Sequence, residues 1–177
     1  MQRLLRALLA SAMILMLGAS SALAATVLTV NFANAPSGTH FVTGTATPTC
    51  SISALAVSCN SYELAGVGNA NATATLDVGY SATVQCRNHG GKIVEVHSQI
   101  TSVSASTGQL EPKNGRLAVP ALSSAPAPTA AQFEALATCP NPNWTPEILT
   151  GSISLSSFVY ALTFEGFTAP AITITGP

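Results

Sequence analysis

Ala70-Asn-Ala-Thr-Ala-Thr-Leu-Asp-Val-Gly-Tyr-Ser-Ala-Thr-Val-Gln-Cys86 carries an apolar residue at every even position and a polar or small one at every odd position. Ala70, Ala72, Ala74, Leu76, Val78, Tyr80, Ala82, Val84 and Cys86 therefore fall on one side of an extended chain. Asn71, Thr73, Thr75, Asp77, Gly79, Ser81, Thr83 and Gln85 fall on the other. Successive side chains alternate across a pleat, so this period of two predicts a β-strand with one buried and one wet face. The same pattern excludes a helix, which would spread the apolar set around its circumference. Strands usually run to about 5–6 residues. This one is much longer, and Gly79 is the expected place for a bend or bulge.

Strand patterns continue on both sides. Val27 to Phe32 puts Leu28, Val30 and Phe32 on one face, and Lys92 to Ser106 is β-branched with Val94, Val96 and Ile100 in register. Phe158, Tyr160, Leu162 and Phe164 mark the most aromatic strand, expected at the centre of its sheet, and Ala171 to Thr175 closes the chain as a short strand. Within Leu110 to Val119, Asn114-Gly115 is the strongest short hairpin signal. Ala121 to Ala131 reads as a Pro/Ala/Ser loop, and Gln132 to Ala137 as one or two helical turns capped by Thr129. Many short strands punctuated by Gly, Pro and Asn predict an all-β chain. The expected architecture is an antiparallel β-sandwich, immunoglobulin-like or related, with two disulfides and at most one short helix.

Residues 1–24 read as a secretory signal peptide. Arg3 and Arg6 form the positive region, Ala7 to Leu17 the apolar region, and Ala22-Leu23-Ala24 the small-residue cleavage site. The apolar run is short of the ~20 residues a spanning helix needs. Residues 25–177 then form a single exported β-sandwich domain with no membrane attachment after cleavage. All four cysteines (Cys50, Cys59, Cys86 and Cys139) lie in that part, as expected of disulfides in an oxidising compartment. Of three possible connectivities, Cys50–Cys59 with Cys86–Cys139 is favoured, because the first pair flanks a hairpin-like segment, Ser51 to Ser58. The spacing suits zinc poorly, with no Cys-x-x-Cys.

The chain is 47% hydrophobic and 7% charged, with a formal net charge of −1; soluble domains carry about 25% charged residues. A polybasic nucleic-acid binder is excluded, since neutralising phosphates takes clustered Lys and Arg. A charge-driven disordered chain is excluded too. Solubility must rest on outward Ser, Thr and Asn, and strand edges must be guarded by Pro36, Pro48, Pro112, Pro120 and Pro170 rather than by lysines.

Four stretches carry a family resemblance: Ser58-Cys-Asn-Ser-Tyr-Glu-Leu-Ala-Gly-Val-Gly68, Cys86-Arg-Asn-His-Gly-Gly-Lys92, Asn114-Gly-Arg-Leu117 and Cys139-Pro-Asn-Pro-Asn-Trp144-Thr145. Together they resemble a group of small, uncharacterised exported actinomycete proteins with a Cys-Pro-Asn-x-Asn-Trp element. The resemblance covers about residues 48–177. It implies an exported β-domain with this cysteine layout and brings no catalytic residues with it.

Chemistry-bearing residues are sparse. Trp144, the single tryptophan, is either a stacking platform for a sugar or peptide, or packing against the Cys86–Cys139 bridge. Tyr62 is the tyrosine expected at the surface. His89 sits in a glycine-rich turn, and His97 shares a strand face with Glu95, an arrangement that suits a metal or an acid–base pair if a third group joins, and otherwise a solvated polar face. No nucleophile elbow, His-Glu-x-x-His or phosphate-binding glycine loop is present in the sequence. The expectation is a non-catalytic secreted or cell-surface interaction module without metal or cofactor. Its expected partner is an extracellular protein or cell-wall glycan. The alternatives are a secreted protease inhibitor using a proline-containing loop (Ala121–Ala131, or Pro140–Pro146), or a carbohydrate-binding module centred on Trp144.

Overall fold

The computed structural model describes residues 26–177, and for 95–98 the backbone alone. In chain order the strands are β1 (Val27–Val30), β2 (His40–Phe41), β3 (Cys50–Ser53), β4 (Ala56–Cys59), β5 (Tyr62–Ala65) and β6 (Ala72–Arg87). Next come β7 (Ile93–Leu110), β8 (Arg116–Val119), β9 (Leu122–Ser123), helix α1 (Ala130–Leu136), β10 (Thr145–Ile148), β11 (Ser154–Phe164) and β12 (Ile172–Gly176). Every pairing between these strands is antiparallel.

The alternating stretch is β6, and its even residues from Ala72 to Cys86 are all buried. It pairs along its length with β7 on one side, and with β11 and then β10 on the other. The large sheet therefore runs β1-β12-β11-β6-β7, with β10 following β11 beside β6. The aromatic strand β11 is at its centre, and Phe158, Tyr160, Leu162 and Phe164 are all buried. Removing each such side chain from water contributes about 1.5–3 kcal/mol.

The bulge expected at Gly79 lies in the neighbouring strand instead. Leu155 pairs with Tyr80 and Ser157 with Gly79, so Ser156 is the extra residue. A Cβ at position 79 would stand 3.0 Å from both Ser156 Oγ and Ser157 Oγ. Glycine on the straight strand gives its partner room to bulge.

Two three-stranded sheets, β2-β5-β8 and β3-β4-β9, make up the second layer. Tyr62 Oη of β5 hydrogen-bonds Tyr160 Oη of β11 at 2.9 Å, and Tyr80 Oη of β6 donates to the Leu55 carbonyl of the β3–β4 turn at 2.9 Å. Leu64, Leu117, Val57 and Leu122 of the small sheets join Leu76, Val78 and Ile174 of the large one in a single core cluster. The sandwich thus has one broad layer facing a divided one.

Both expected disulfides are present, Cys50–Cys59 and Cys86–Cys139. Cys50 and Cys59 are directly opposite in the β3–β4 hairpin. Its two-residue turn places Ala54 and Leu55 at φ 46° and 71°, a left-handed conformation normally left to Asn and Gly. The short helix forms as expected after Thr129, whose backbone N–H donates to Gln132 Oε1 at 2.7 Å.

Three strand expectations need correction. Asn114-Gly115 does turn tightly, with Lys113 bridged to Arg116, but its flanking strands do not form a hairpin: β7 stays in the large sheet while β8 joins β5. In β7, Val94 and Ile100 lie on the wet side (Ile100 is 76% exposed), because Val103 and Ala105 are the residues opposite buried Val78 and Leu76. β1 stops at Val30, with all four residues exposed, and Phe32 enters a 3-10 turn. Among the described residues its main neighbour is β12 of the same sheet, so its alternation meets no core there. The prolines expected to guard the edges lie outside β1 and β7, the outer strands of the large sheet, while Pro120 follows β8 and precedes β9, edge strands of the two small sheets.

Candidate functional site

The Cys86–Cys139 bridge lies at the end of β6 from which the Trp144 and His89 loops extend. Thr145 pairs with Arg87, so Trp144 follows directly beyond the pairing, beside the loop that carries His89. Asn141 shapes its own loop by accepting from the Trp144 N–H at its carbonyl and from the Asn143 N–H at Oδ1, each at 2.9 Å. Such Asx turns hold a loop without further packing. Trp144 itself is half-buried.

Asn88 does the same for the facing loop. Its carbonyl accepts from Gly91 N–H at 2.9 Å and its Oδ1 from Lys92 N–H at 3.0 Å, which leaves His89 at an exposed tip. Arg87 Nη1 donates to the Gly91 carbonyl at 2.6 Å and its Nε pairs with Glu147 of β10. The Glu147 hydrogen bond, and then its charge, raise the Arg87 guanidinium above its ordinary value. Glu134 of α1 accepts from the Ile148 N–H at 2.9 Å and ties the helix to the same strand. The end of the sandwich is therefore a stiff, two-loop platform: one partly exposed indole, an exposed imidazole and a paired Arg–Glu at the rim.

Tyr62 does not belong to it. The side chain expected at the surface is only 5% exposed and points into the core toward Tyr160, because β5 places Tyr62 and Leu64 on the face turned toward the large sheet. Tyr80 and Tyr160 are buried as well. Glu95 and His97 pair with Cys86 and Val84 respectively, and their side chains lie outside the described residues, as does the segment over 1–24 expected to be a signal peptide. Among the described residues no group of three or more His, Cys, Asp or Glu is placed to hold a metal ion. The Arg87–Glu147 pair had no local signal in the sequence, since its partners meet only through the β6–β10 register.

Comparison of the chain with family models, curated proteins and solved structures finds no match. Among the described residues no helix is long and apolar enough to cross a membrane. The two disulfides suit an oxidising, extracellular setting.

Proposed function

We propose that this chain is a non-catalytic exported interaction module that contacts an extracellular protein or a cell-wall glycan through the Trp144–His89 end. The observation that carries this reading is the half-buried Trp144, which lies between Cys139 and β10 and next to Thr145, the residue paired with Arg87 at the start of the His89 loop. Binding energy concentrates in a few rigid aromatic and Arg anchors ringed by polar groups. A loop already held by a disulfide and an Asx turn loses little conformational freedom when it binds. Export by the signal peptide over 1–24, and the resemblance to small exported actinomycete proteins, are parts of the same proposal.

An inhibitor acting through the 121–131 loop has less support in the geometry. Leu122 pairs with Cys59, Ser124 exchanges hydrogen bonds with Val57, and Pro128 is buried, so the 121–131 stretch does not project as a free loop.

The test is fractionation of producing cells, followed by retention of the purified mature protein on isolated cell envelopes. A mature chain starting just after Ala24 in the medium, and envelope retention that falls at least about fivefold in Trp144→Ala (about 1 kcal/mol), are expected. Protease-stripped envelopes that still retain the protein point to glycan, and loss on stripping points to a protein partner. A cytoplasmic chain with its N-terminus intact, or retention unchanged in Trp144→Ala, overturns the reading.

A further inference from the structure

The opposite end of β6 holds a recess of about 360 Å³, lined by Asn71, Thr73, Gln109, Thr163 and Glu165. It lies ~45 Å along the strand from the Trp144 loop, at about 3.3 Å per residue. Three strands contribute to it, so no single segment of sequence announces it. Asn71 Nδ2 and Gln109 Nε2 donate to Glu165 Oε2 at 3.1 and 3.4 Å, and the Glu165 N–H donates to the Asn71 carbonyl at 2.8 Å. Both amides reach the same carboxylate oxygen. Glu165 Oε1, the two amide oxygens and the hydroxyls of Thr73 and Thr163 remain as the groups such a recess offers to a ligand.

Thr163, Thr73 and Gln109 are also neighbours in the sheet register, and they open onto its outer face. The next row is Ala161, Thr75 and Ser106, and the one after is Val159, Asp77 and Ser104. Ser157, Gly79 and Ser102 follow. The single charge in these rows is Asp77, and the Ser104 hydroxyl donates to it. Short side chains leave this face flat, with strands about 4.8 Å apart and same-face residues about 6.6 Å apart along each strand.

These features select a ligand class. A single carboxylate already holding two amide donors is a poor start for a calcium site, which needs six to eight oxygens. An anion would meet Glu165 with no cation in the lining. A neutral ring bearing several hydroxyls can satisfy the carboxylate, the amides and the threonines together, since each hydroxyl both donates and accepts. We propose that a neutral polysaccharide binds here, with one sugar ring in the Asn71–Gln109–Glu165 recess and the following rings along the hydroxyl face of β6.

The experiment is an NMR titration of the mature chain with neutral hexasaccharides of β-1,4-glucose, α-1,4-glucose and N-acetylglucosamine, with calcium chloride in a separate arm. At least one hexasaccharide is expected to shift the Asn71 and Gln109 side-chain amides and the Thr73 and Thr75 backbone amides, with Kd of about 1 mM or tighter. Glu165 is exposed, so Glu165→Ala should fold normally and weaken binding about tenfold, the equivalent of one charge-assisted hydrogen bond. Glu165→Gln, which keeps an acceptor, should weaken it less. Shifts that map to Asn71, Thr73, Thr75 and Gln109, read residue by residue, separate this site from the envelope-binding end. Three results overturn the proposal: no shift with any saccharide at about 10 mM, shifts confined to the Trp144 loop, or a response of the recess to calcium alone.

Discussion

Tyr62 and Tyr160 meet hydroxyl to hydroxyl, 2.9 Å apart, in the middle of the core. One comes from β5 of a small sheet and the other from β11 at the centre of the large one, so this hydrogen bond, like that from Tyr80 Oη to the Leu55 carbonyl, joins the two layers. Each hydroxyl satisfies the other where water does not reach, and each ring supplies the apolar area that a phenylalanine would. Around them, Phe41 packs edge-on to Tyr62 with ring centroids 6.2 Å apart.

Removing one hydroxyl should cost more than removing both. Tyr62→Phe or Tyr160→Phe leaves a buried hydroxyl without this partner, which costs about 1–3 kcal/mol, whereas replacing both partners by apolar groups of the same shape is nearly neutral. A double-mutant cycle read by urea unfolding should show strong coupling. Simple additivity of the two single losses would argue against a shared bond.

The same pair sets a limit at alkaline pH. Burial first, and then the neighbouring Tyr160, raise the Tyr62 phenol far above its ordinary value; burial likewise raises Tyr160. Both stay neutral in the fold, whereas in the unfolded chain they ionise near pH 10. Stability held in this pair is therefore fully present below about pH 10 and is lost as pH rises beyond it toward the folded-state values. Unfolding free energy measured from pH 8 to 11 should bend downward, and the Tyr62→Phe/Tyr160→Phe double variant should show a shallower decline. An equal slope in both proteins would mean that other groups set the limit.

The β3–β4 turn should be improvable. Ala54 sits at φ 46°, a region that costs an ordinary L-residue about 1–2 kcal/mol and costs Asn less. Ala54 is exposed, so Ala54→Asn should stabilise by about 0.5–1 kcal/mol and raise Tm by roughly 2–4 °C. Leu55→Gly tests the converse. Leu55 packs against the core, so relief of its strain is offset by lost burial, and the net change should be smaller than for Ala54→Asn. A destabilising Ala54→Asn would show that the turn is held by something other than backbone preference.

Opening the Cys86–Cys139 bridge should loosen the Trp144 platform before the rest of the sandwich. Cys86→Ser/Cys139→Ser removes a link spanning a sequence separation of 53, which chain-entropy reasoning values at about 4 kcal/mol. Trp144 fluorescence should shift to the red in the folded variant, and envelope retention should fall with it. An unchanged emission maximum in the folded variant would mean that the Asn141 turn and β10 pairing hold the indole unaided.

Much of the sandwich was legible in local pattern. The period of two from Ala72 to Cys86 and the aromatic repeat from Phe158 to Phe164 formed where read, and the helix after Thr129 formed over Ala130–Leu136, two residues earlier than its expected start. Both disulfides formed as paired, because Cys50 and Cys59 flank a segment just long enough for a hairpin and the remaining two cysteines follow. In the candidate site, His89 at a glycine-rich tip and Trp144 beyond Cys139 were legible, but the Thr145–Arg87 pairing that brings their loops to the same end of β6 was not. The errors share a source. Val27 to Phe32 alternates like a half-buried strand, yet β1 is exposed throughout because burial needs an opposing layer, which the pattern cannot supply.

By itself, the sequence determined which residues turn, which extend and which sides of β6 and β11 are apolar, since these follow from steric preference and side-chain alternation over a few neighbours. Tertiary structure alone decided which strands became partners. Asn114-Gly115 turned the chain as local chemistry requires, but β8 then paired with β5 rather than β7. Tyr62 turned inward, and Asn71 just before β6, Gln109 in β7 and Glu165 just after β11 were brought to one recess. Such choices depend on the burial and hydrogen bonding of the whole sheet at once, energies shared among residues far apart in the chain and invisible to any window along it.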